Sequence, residues 1–152
     1  MQVAVAADAV IRERLLESFE LYDDLVREVP EESLASKLPG IASNTLGAQL
    51  WCVVGARESF AGAIEAGDWA GFSCSLTAEE TREREAVAAA LARSAEQVVA
   101  AVDDVDAEDD EGLRFVLRLL EHEAAHHGQL IRYLYGLQLP IPASWKARYA
   151  LS

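Results

Sequence analysis

The feature that most constrains the fold of this chain is the apolar rhythm of residues 113–134. Apolar side chains recur there every three or four positions, at Leu113, Val116, Leu117, Leu120, Ala124, Ile131 and Leu134. Because an α-helix turns ~100° per residue, this spacing gathers them along one side of a helix. The apolar arc is wider than one packing face requires. The segment therefore predicts a central helix that contacts two neighbours and leaves apolar surface for a second subunit.

Three further segments have helical patterns and are bounded by residues typical of helix ends. The first predicted helix covers residues 4–28, and the second runs from a cap at Ser43 or Asn44 to about residue 66. The third follows a capping box that begins at Thr77 and continues to about residue 102. With the fourth helix over residues 112–135, the chain is predicted to be all-α, with four helices and a C-terminal tail that packs across them.

Length and composition agree with this fold class and limit the function. A chain of 152 residues, 51% of them hydrophobic, fits a single domain over residues 1–152. The net charge of −13 argues against nucleic acid and anionic membrane surfaces as partners. No apolar run reaches the ~18 residues that a membrane span needs. Two cysteines make no secreted disulfide framework, and the N-terminus lacks the basic region of a signal peptide, so we expect a cytoplasmic protein.

All three histidines lie in the fourth predicted helix. His122 and His126 are four residues apart, so they share one face of the helix and two imidazoles can converge on one cation. No histidine elsewhere offers a third ligand, but Cys52 lies in the second predicted helix among residues expected to face the core. A thiolate with two imidazoles suits zinc and leaves a fourth position for water or substrate. The alternatives are that Cys52 is a small buried packing residue and that the histidines are structural.

Several residues around the histidines are secondary candidates. Glu58 and Glu123 are candidate bases, although Glu123 is one residue from the ligand stripe and is expected to be solvated. Gln129 is a candidate hydrogen-bond partner of a metal ligand. Gly128 is expected at a close approach of two helices, and Trp145 in the core.

Two stretches carry a family resemblance: residues 122–129, His-Glu-Ala-Ala-His-His-Gly-Gln, and residues 44–51, Asn-Thr-Leu-Gly-Ala-Gln-Leu-Trp. The first resembles the last-helix signature His-x-x-x-His-Arg-Gly-Gln of the DinB-like family, which includes YfiT-type metal-dependent hydrolases and thiol-dependent S-transferases. The second is similar to the segment that precedes the first metal ligand of that family. That ligand is usually histidine, and Cys52 stands in its place here, while His127 replaces the usual arginine.

The resemblance implies an up-down-down-up four-helix bundle with a long crossover between its second and third helices. Residues 67–76, which form this connection in our prediction, are a short crossover. It also implies a metal site formed by Cys52, His122 and His126, with zinc favoured by the thiolate and nickel as the alternative. A low-molecular-weight thiol such as bacillithiol or mycothiol would be a cosubstrate, and the protein would be a homodimer.

Two hypotheses of function follow. The first is a metal-dependent enzyme that catalyses thiol S-transfer or hydrolysis of a small-molecule substrate. The second is a metal-free helical bundle that acts as a binding or stress-associated interaction protein. The metal content of the purified protein discriminates between them.

Overall fold

Five α-helices and two short 3₁₀ helices, without a β-strand, form the part of the chain that the computed structural model describes: the backbone of residues 2–152 and the side chains of residues 9–152. The α-helices are α1 (Gln2–Glu28), α2 (Leu46–Ala66), α3 (Arg84–Asp103), α4 (Asp110–Gly136) and α5 (Ala143–Tyr149). The 3₁₀ helices are Glu31–Ala35 and Glu80–Arg82. The predicted all-α class is confirmed. None of the described helices is long and apolar enough to cross a membrane.

Local capping sets both ends of α2 and the start of α4. Thr45, and not Ser43 or Asn44 as predicted, caps α2, because its hydroxyl accepts a hydrogen bond of 3.0 Å from the Ala48 amide. The helix ends at Gly67, whose φ of 74° is the left-handed conformation that glycine adopts without strain. Asp109 caps α4 and places a negative charge at its positive end. Both helices therefore begin and end within about two residues of the predicted positions.

The third helix begins later than predicted. The reciprocal hydrogen bonds of the capping box form, with the Thr77 amide donating to Glu80 Oε1 at 2.9 Å, but they close the turn that leads into the 3₁₀ helix Glu80–Arg82 and do not cap α3. Glu83 is extended, and α3 starts at Arg84, whose guanidinium donates hydrogen bonds to backbone carbonyls at the end of α1. The connection between α2 and α3 therefore spans residues 67–83 rather than 67–76.

The core consists of two apolar clusters with polar residues at their junction. Helices α1 and α2 each pack against both α3 and α4. One cluster includes Tyr22 and Leu50, and the other includes Phe19 and Phe60. The guanidinium of Arg57 lies 4.3 Å from the centre of the Phe19 ring and 5.2 Å from that of Tyr22, so it bridges the two clusters.

The C-terminal tail, which the sequence predicts to fold back across one end of the helices, packs on α1. Trp145 of α5 is fully buried, and its indole Nε1 donates a hydrogen bond of 2.7 Å to the Leu21 carbonyl of α1. The Ser144 hydroxyl donates to Asp24 Oδ2 at 2.6 Å. These contacts attach α5 to α1.

Candidate metal centre

Cys52, His122 and His126 lie together between α2 and α4. Each offers one ligand atom, and the three atoms are within 4.8 Å of one another. Cys52 Sγ is 3.7 Å from His122 Nε2, and the centres of the two imidazole rings are 4.5 Å apart. The structure therefore brings together the three residues that the sequence nominates as ligands.

The separation of these atoms fits a shared zinc ion. Zn–S bonds of ~2.3 Å and Zn–N bonds of ~2.0–2.1 Å, at tetrahedral angles, hold ligand atoms roughly 3.5 Å apart. The 3.7 Å between Cys52 Sγ and His122 Nε2 already meets this requirement. Cys52 and His122 are half-buried, whereas His126 is only 7% exposed. The cluster is thus reached from solvent on the side of Cys52 and His122.

Burial sets the protonation states of the three side chains. It lowers the pKa of His122, and together with the neighbouring His122 it lowers the pKa of His126 to about 4. Both imidazoles are therefore neutral at pH 7 and have a lone pair for a cation. Burial raises the pKa of Cys52, so its thiol keeps its proton until a cation displaces it.

A hydrogen-bonded chain of polar side chains supports His126. Its Nδ1 is 2.7 Å from Gln49 Oε1, and Gln49 Nε2 donates to Asn44 Oδ1 at 2.9 Å. The hydroxyl of Tyr133 donates to Asn44, whose Oδ1 lies at 2.7 Å and whose backbone oxygen lies at 2.5 Å. The prediction that Gln129 supports a ligand is wrong, because its side chain faces solvent on the next turn of α4.

His122 has no comparable support. Among the described residues, its Nδ1 is the buried side-chain nitrogen or oxygen atom that lacks a hydrogen-bond partner. A ring nitrogen that is buried without a partner is costly in a purely structural histidine. A cation bound to Nε2, the nitrogen near Cys52 Sγ, would leave Nδ1 without a partner as before, so the donor set alone supports a cation-binding role for His122.

Glu123 is fully buried, so the expectation that it is solvated is wrong. Its two carboxylate oxygens accept hydrogen bonds of 3.0 Å from Arg57 Nε and Nη2. A third hydrogen bond, of 2.7 Å, comes from the Ser18 hydroxyl. One step along the helix from His122 turns the side chain by ~100°, into the core instead of into solvent. A carboxylate with these partners stabilises the bundle and is a poor candidate for a base.

His127 belongs to this buried network and not to the metal cluster. Its Nε2 lies 2.8 Å from Ser18 Oγ, and its Nδ1 lies 2.6 Å from the Tyr149 hydroxyl. Because Ser18 donates its proton to the salt-bridged Glu123, its oxygen accepts from His127 Nε2–H. Nδ1 then accepts from Tyr149. Burial lowers the pKa of His127 to about 4, which agrees with a neutral ring.

Glu58, the other candidate base, holds the loop after α2. Its carboxylate accepts hydrogen bonds from the Ser75 amide and hydroxyl, at 2.8 and 2.5 Å. Nearby, the indole of Trp51 donates to the Leu76 carbonyl at 2.8 Å. These contacts give Glu58 a role in fixing the loop against α2.

Close helix approach occurs at other glycines than the one predicted. A Cβ added at Gly128 would meet nothing within 4 Å, so that prediction is wrong. At Gly47, it would lie 2.3 Å from the backbone oxygen of Thr81, and at Gly55 it would lie 2.3 Å from the Phe72 ring. The two tightest approaches are therefore on α2, where the connection to α3 packs.

Gln49, Arg57 and Ser18 were not identified from the sequence. Two of them could have been found from the sequence. Gln49 and Arg57 are the polar side chains in the otherwise apolar stretch 46–57. Polar residues within an apolar stretch are buried at a cost unless they find partners, and so they point to a buried network.

We find no protein-family model that matches the sequence, and no curated protein is significantly similar to it. The functional assignment therefore depends on the residues of the cluster and on the helices that carry them.

Proposed function

We propose that this protein is a metal-dependent enzyme of the DinB-like type, in which Cys52, His122 and His126 bind one divalent metal ion. The observation that carries the proposal is the convergence of three ligand atoms within 4.8 Å, from two helices. Zinc is the preferred ion because a thiolate with imidazoles matches its ligand preference, and nickel is the alternative.

The three residues of the cluster differ in their access to solvent and in their support. Cys52 and His122 face the accessible side, and His126 is held from behind by Gln49. Three protein ligands leave a coordination position open for an exogenous group. A bound divalent metal supplies Lewis acidity, which lowers the pKa of a coordinated water or thiol. We infer hydrolysis or thiol S-transfer on a small-molecule substrate, with a low-molecular-weight thiol as the cosubstrate in the second case.

We also infer an up-down-down-up arrangement of α1 to α4, as in DinB-like bundles. Contacts between residues indicate the relative direction of each helix pair. As residue numbers rise along α2 they fall along its partner α4, and the same holds for α1 and α3, so both pairs are antiparallel. Residue numbers rise together along α2 and α3, so this pair is parallel. The contacts are Asn44–Tyr133 and Arg57–Glu123 for α2 and α4, Arg12–Asp103 and Val26–Arg84 for α1 and α3, and Gly47–Thr81 and Arg57–Leu91 for α2 and α3. Helices that are consecutive in the chain and parallel need a long crossover connection, and residues 67–83 connect α2 to α3.

The metal content of the purified protein tests the proposal. Protein produced without added metal and purified without chelators should contain about one zinc ion per chain, as expected for one three-ligand site. A variant with His122→Ala and His126→Ala should contain none, with unchanged helix content by circular dichroism. If the wild-type protein contains no metal and takes up none, the metal-free bundle that acts as a binding or stress-associated interaction protein replaces the enzyme.

A further inference from the structure

Gln49 is a buried polar side chain that contacts a residue of the ligand cluster and is not itself a candidate ligand. It is only 6% exposed, and its amide oxygen lies 2.7 Å from His126 Nδ1. Burying an amide is costly unless both of its ends are hydrogen-bonded. Both ends are paired here, because Gln49 Nε2 donates to Asn44 Oδ1. The orientation of the Gln49 amide is therefore fixed by its neighbours on both sides.

The orientation of this amide decides which nitrogen of His126 carries the proton. A neutral imidazole has one N–H and one lone pair. An amide oxygen only accepts hydrogen bonds, so with Gln49 Oε1 towards the ring the proton is on Nδ1. The lone pair is then on Nε2. The opposite orientation would direct the amide N–H groups at Nδ1 and place the proton on Nε2, where it would block a ligand.

Asn44 and Tyr133 hold the amide in the orientation that keeps Nε2 free. Asn44 Oδ1 accepts from Gln49 Nε2, and the single hydroxyl proton of Tyr133 is shared between this oxygen, at 2.7 Å, and the backbone oxygen of Asn44, at 2.5 Å. An oxygen at that point favours the amide nitrogen of Gln49 as its neighbour. The amide oxygen of Gln49 consequently faces His126.

We propose that Gln49 is a positioning residue that fixes His126 in the Nδ1–H tautomer and so presents Nε2 to the metal ion. The proposal rests on the metal-binding function proposed above. It adds the residue that holds one ligand in its metal-binding tautomer before the metal binds. It applies to His126 alone, because His122 Nδ1 has no hydrogen-bond partner among the described residues. Removing the hydrogen-bond partner of a metal-bound histidine typically weakens metal affinity ~10–100-fold.

Zinc affinity, measured by competition with a chromophoric chelator, tests the proposal with two substitutions of Gln49. Gln49→Leu removes the acceptor and should weaken zinc binding ~10–100-fold. Gln49→Glu keeps an acceptor towards Nδ1, although its second oxygen faces Asn44 Oδ1, and should bind zinc more tightly than Gln49→Leu does. The matched control is Gln129→Leu, the same change at an exposed position on the next turn after His126. Its affinity should equal that of the wild type.

Nitrogen-15 NMR of the metal-free protein gives a second readout that a merely structural role would not change. The wild type and Gln49→Glu should have His126 protonated on Nδ1, and Gln49→Leu should populate the Nε2–H tautomer. The proposal is overturned if the wild-type ring is protonated on Nε2, if Gln49→Leu binds zinc as tightly as Gln129→Leu, or if folded Gln49→Glu is as weak as Gln49→Leu. If the wild type binds no zinc at all, the proposed function fails, and the NMR result still decides whether Gln49 sets the tautomer.

Discussion

The ion pair between Arg57 and Glu123 joins α1, α2, α3 and α4 in the interior. Both side chains have no exposed surface, and their two hydrogen bonds of 3.0 Å form a bidentate pair. Ser18 of α1 donates to the carboxylate, and the guanidinium also donates to the Leu91 carbonyl of α3. Removing two charges from water costs several kcal/mol each, and only such complete pairing offsets it.

Breaking this pair should destabilise the protein more than replacing it. Arg57→Met leaves the Glu123 charge buried without its partner, so we expect the free energy of unfolding to fall by about 3–5 kcal/mol. Combining Arg57→Met with Glu123→Leu should recover much of that loss. Urea denaturation in the presence of EDTA measures both variants without a metal contribution. A loss below about 1 kcal/mol for the single variant would contradict a tightly paired charge.

Two buried histidines should make stability depend on pH. Burial lowers the pKa of His126 and of His127 from 6.5 to about 4, so the unfolded chain binds protons that the folded chain does not. The free energy of unfolding of the metal-free protein should therefore decrease as the pH falls from 6.5 towards 4. Each histidine contributes a slope of up to about 1.4 kcal/mol per pH unit.

The variant His127→Gln provides the comparison for this pH dependence. It lacks one of the three rings whose pKa burial lowers, so its slope between pH 6.5 and 4 should be smaller than that of the wild type by one histidine's contribution. Comparing slopes removes the effect of the carboxylates, which is common to both proteins. Equal slopes would mean that His127 is protonated to the same extent in the folded and unfolded chain.

Helix α2 depends on one close approach that a glycine allows. A Cβ at Gly47 would lie 2.3 Å from the Thr81 carbonyl oxygen, and a backbone atom cannot move aside cheaply. Gly47→Ala should lower the free energy of unfolding by about 1–3 kcal/mol, as overpacking does. Gly62→Ala, on the exposed side of the same helix, should raise it by about 0.5–1 kcal/mol. Thermal denaturation measures both variants. Equal melting temperatures of Gly47→Ala and Gly62→Ala would contradict the close packing of α2 on the 3₁₀ helix Glu80–Arg82.

The ends of a helix could be predicted where residues close in the sequence determine them. Both ends of α2 and the start of α4 are set by Thr45, Gly67 and Asp109, which act within a few residues of themselves. The start of α3 depends on Arg84, whose guanidinium binds carbonyls at the end of α1, 55 to 58 positions away. Such a contact leaves no periodic pattern in the sequence, and the predicted start was wrong for that reason.

The candidate site likewise contains residues that the sequence reveals and residues that only the packing of the helices reveals. His122 and His126 are detectable because one helix turn separates them, and Cys52 because a resemblance marks its position. Gln49 contacts His126 across 77 positions of the chain, and Arg57 contacts Glu123 across 66. Only the packing of α2 on α4 reveals these partners, so a sequence can nominate the ligands but not the residues that orient them.

We predict that the whole molecule is a homodimer that uses α4. Leu117 of this helix is 44% exposed, which leaves apolar surface outside the core. Sedimentation equilibrium at micromolar concentration should give about twice the 16.5 kDa of one chain. Leu117→Glu should shift the protein towards the monomer, whereas Ile41→Glu, at a 67% exposed position in the loop before α2, should not. A wild-type protein that sediments as a monomer would contradict the dimer.

The most direct test of the metal centre compares the zinc affinities of the wild type, Cys52→Ala and Cys74→Ala. Cys74 is the matched control, because it is also a half-buried free thiol but lies outside the ligand cluster. We predict that Cys74→Ala binds zinc like the wild type and that Cys52→Ala loses more than the ~10–100-fold typical of losing a ligand's hydrogen-bond partner. Cys52→His should restore binding and favour nickel. Equal zinc affinity of Cys52→Ala and the wild type would contradict the account and make Cys52 a packing residue.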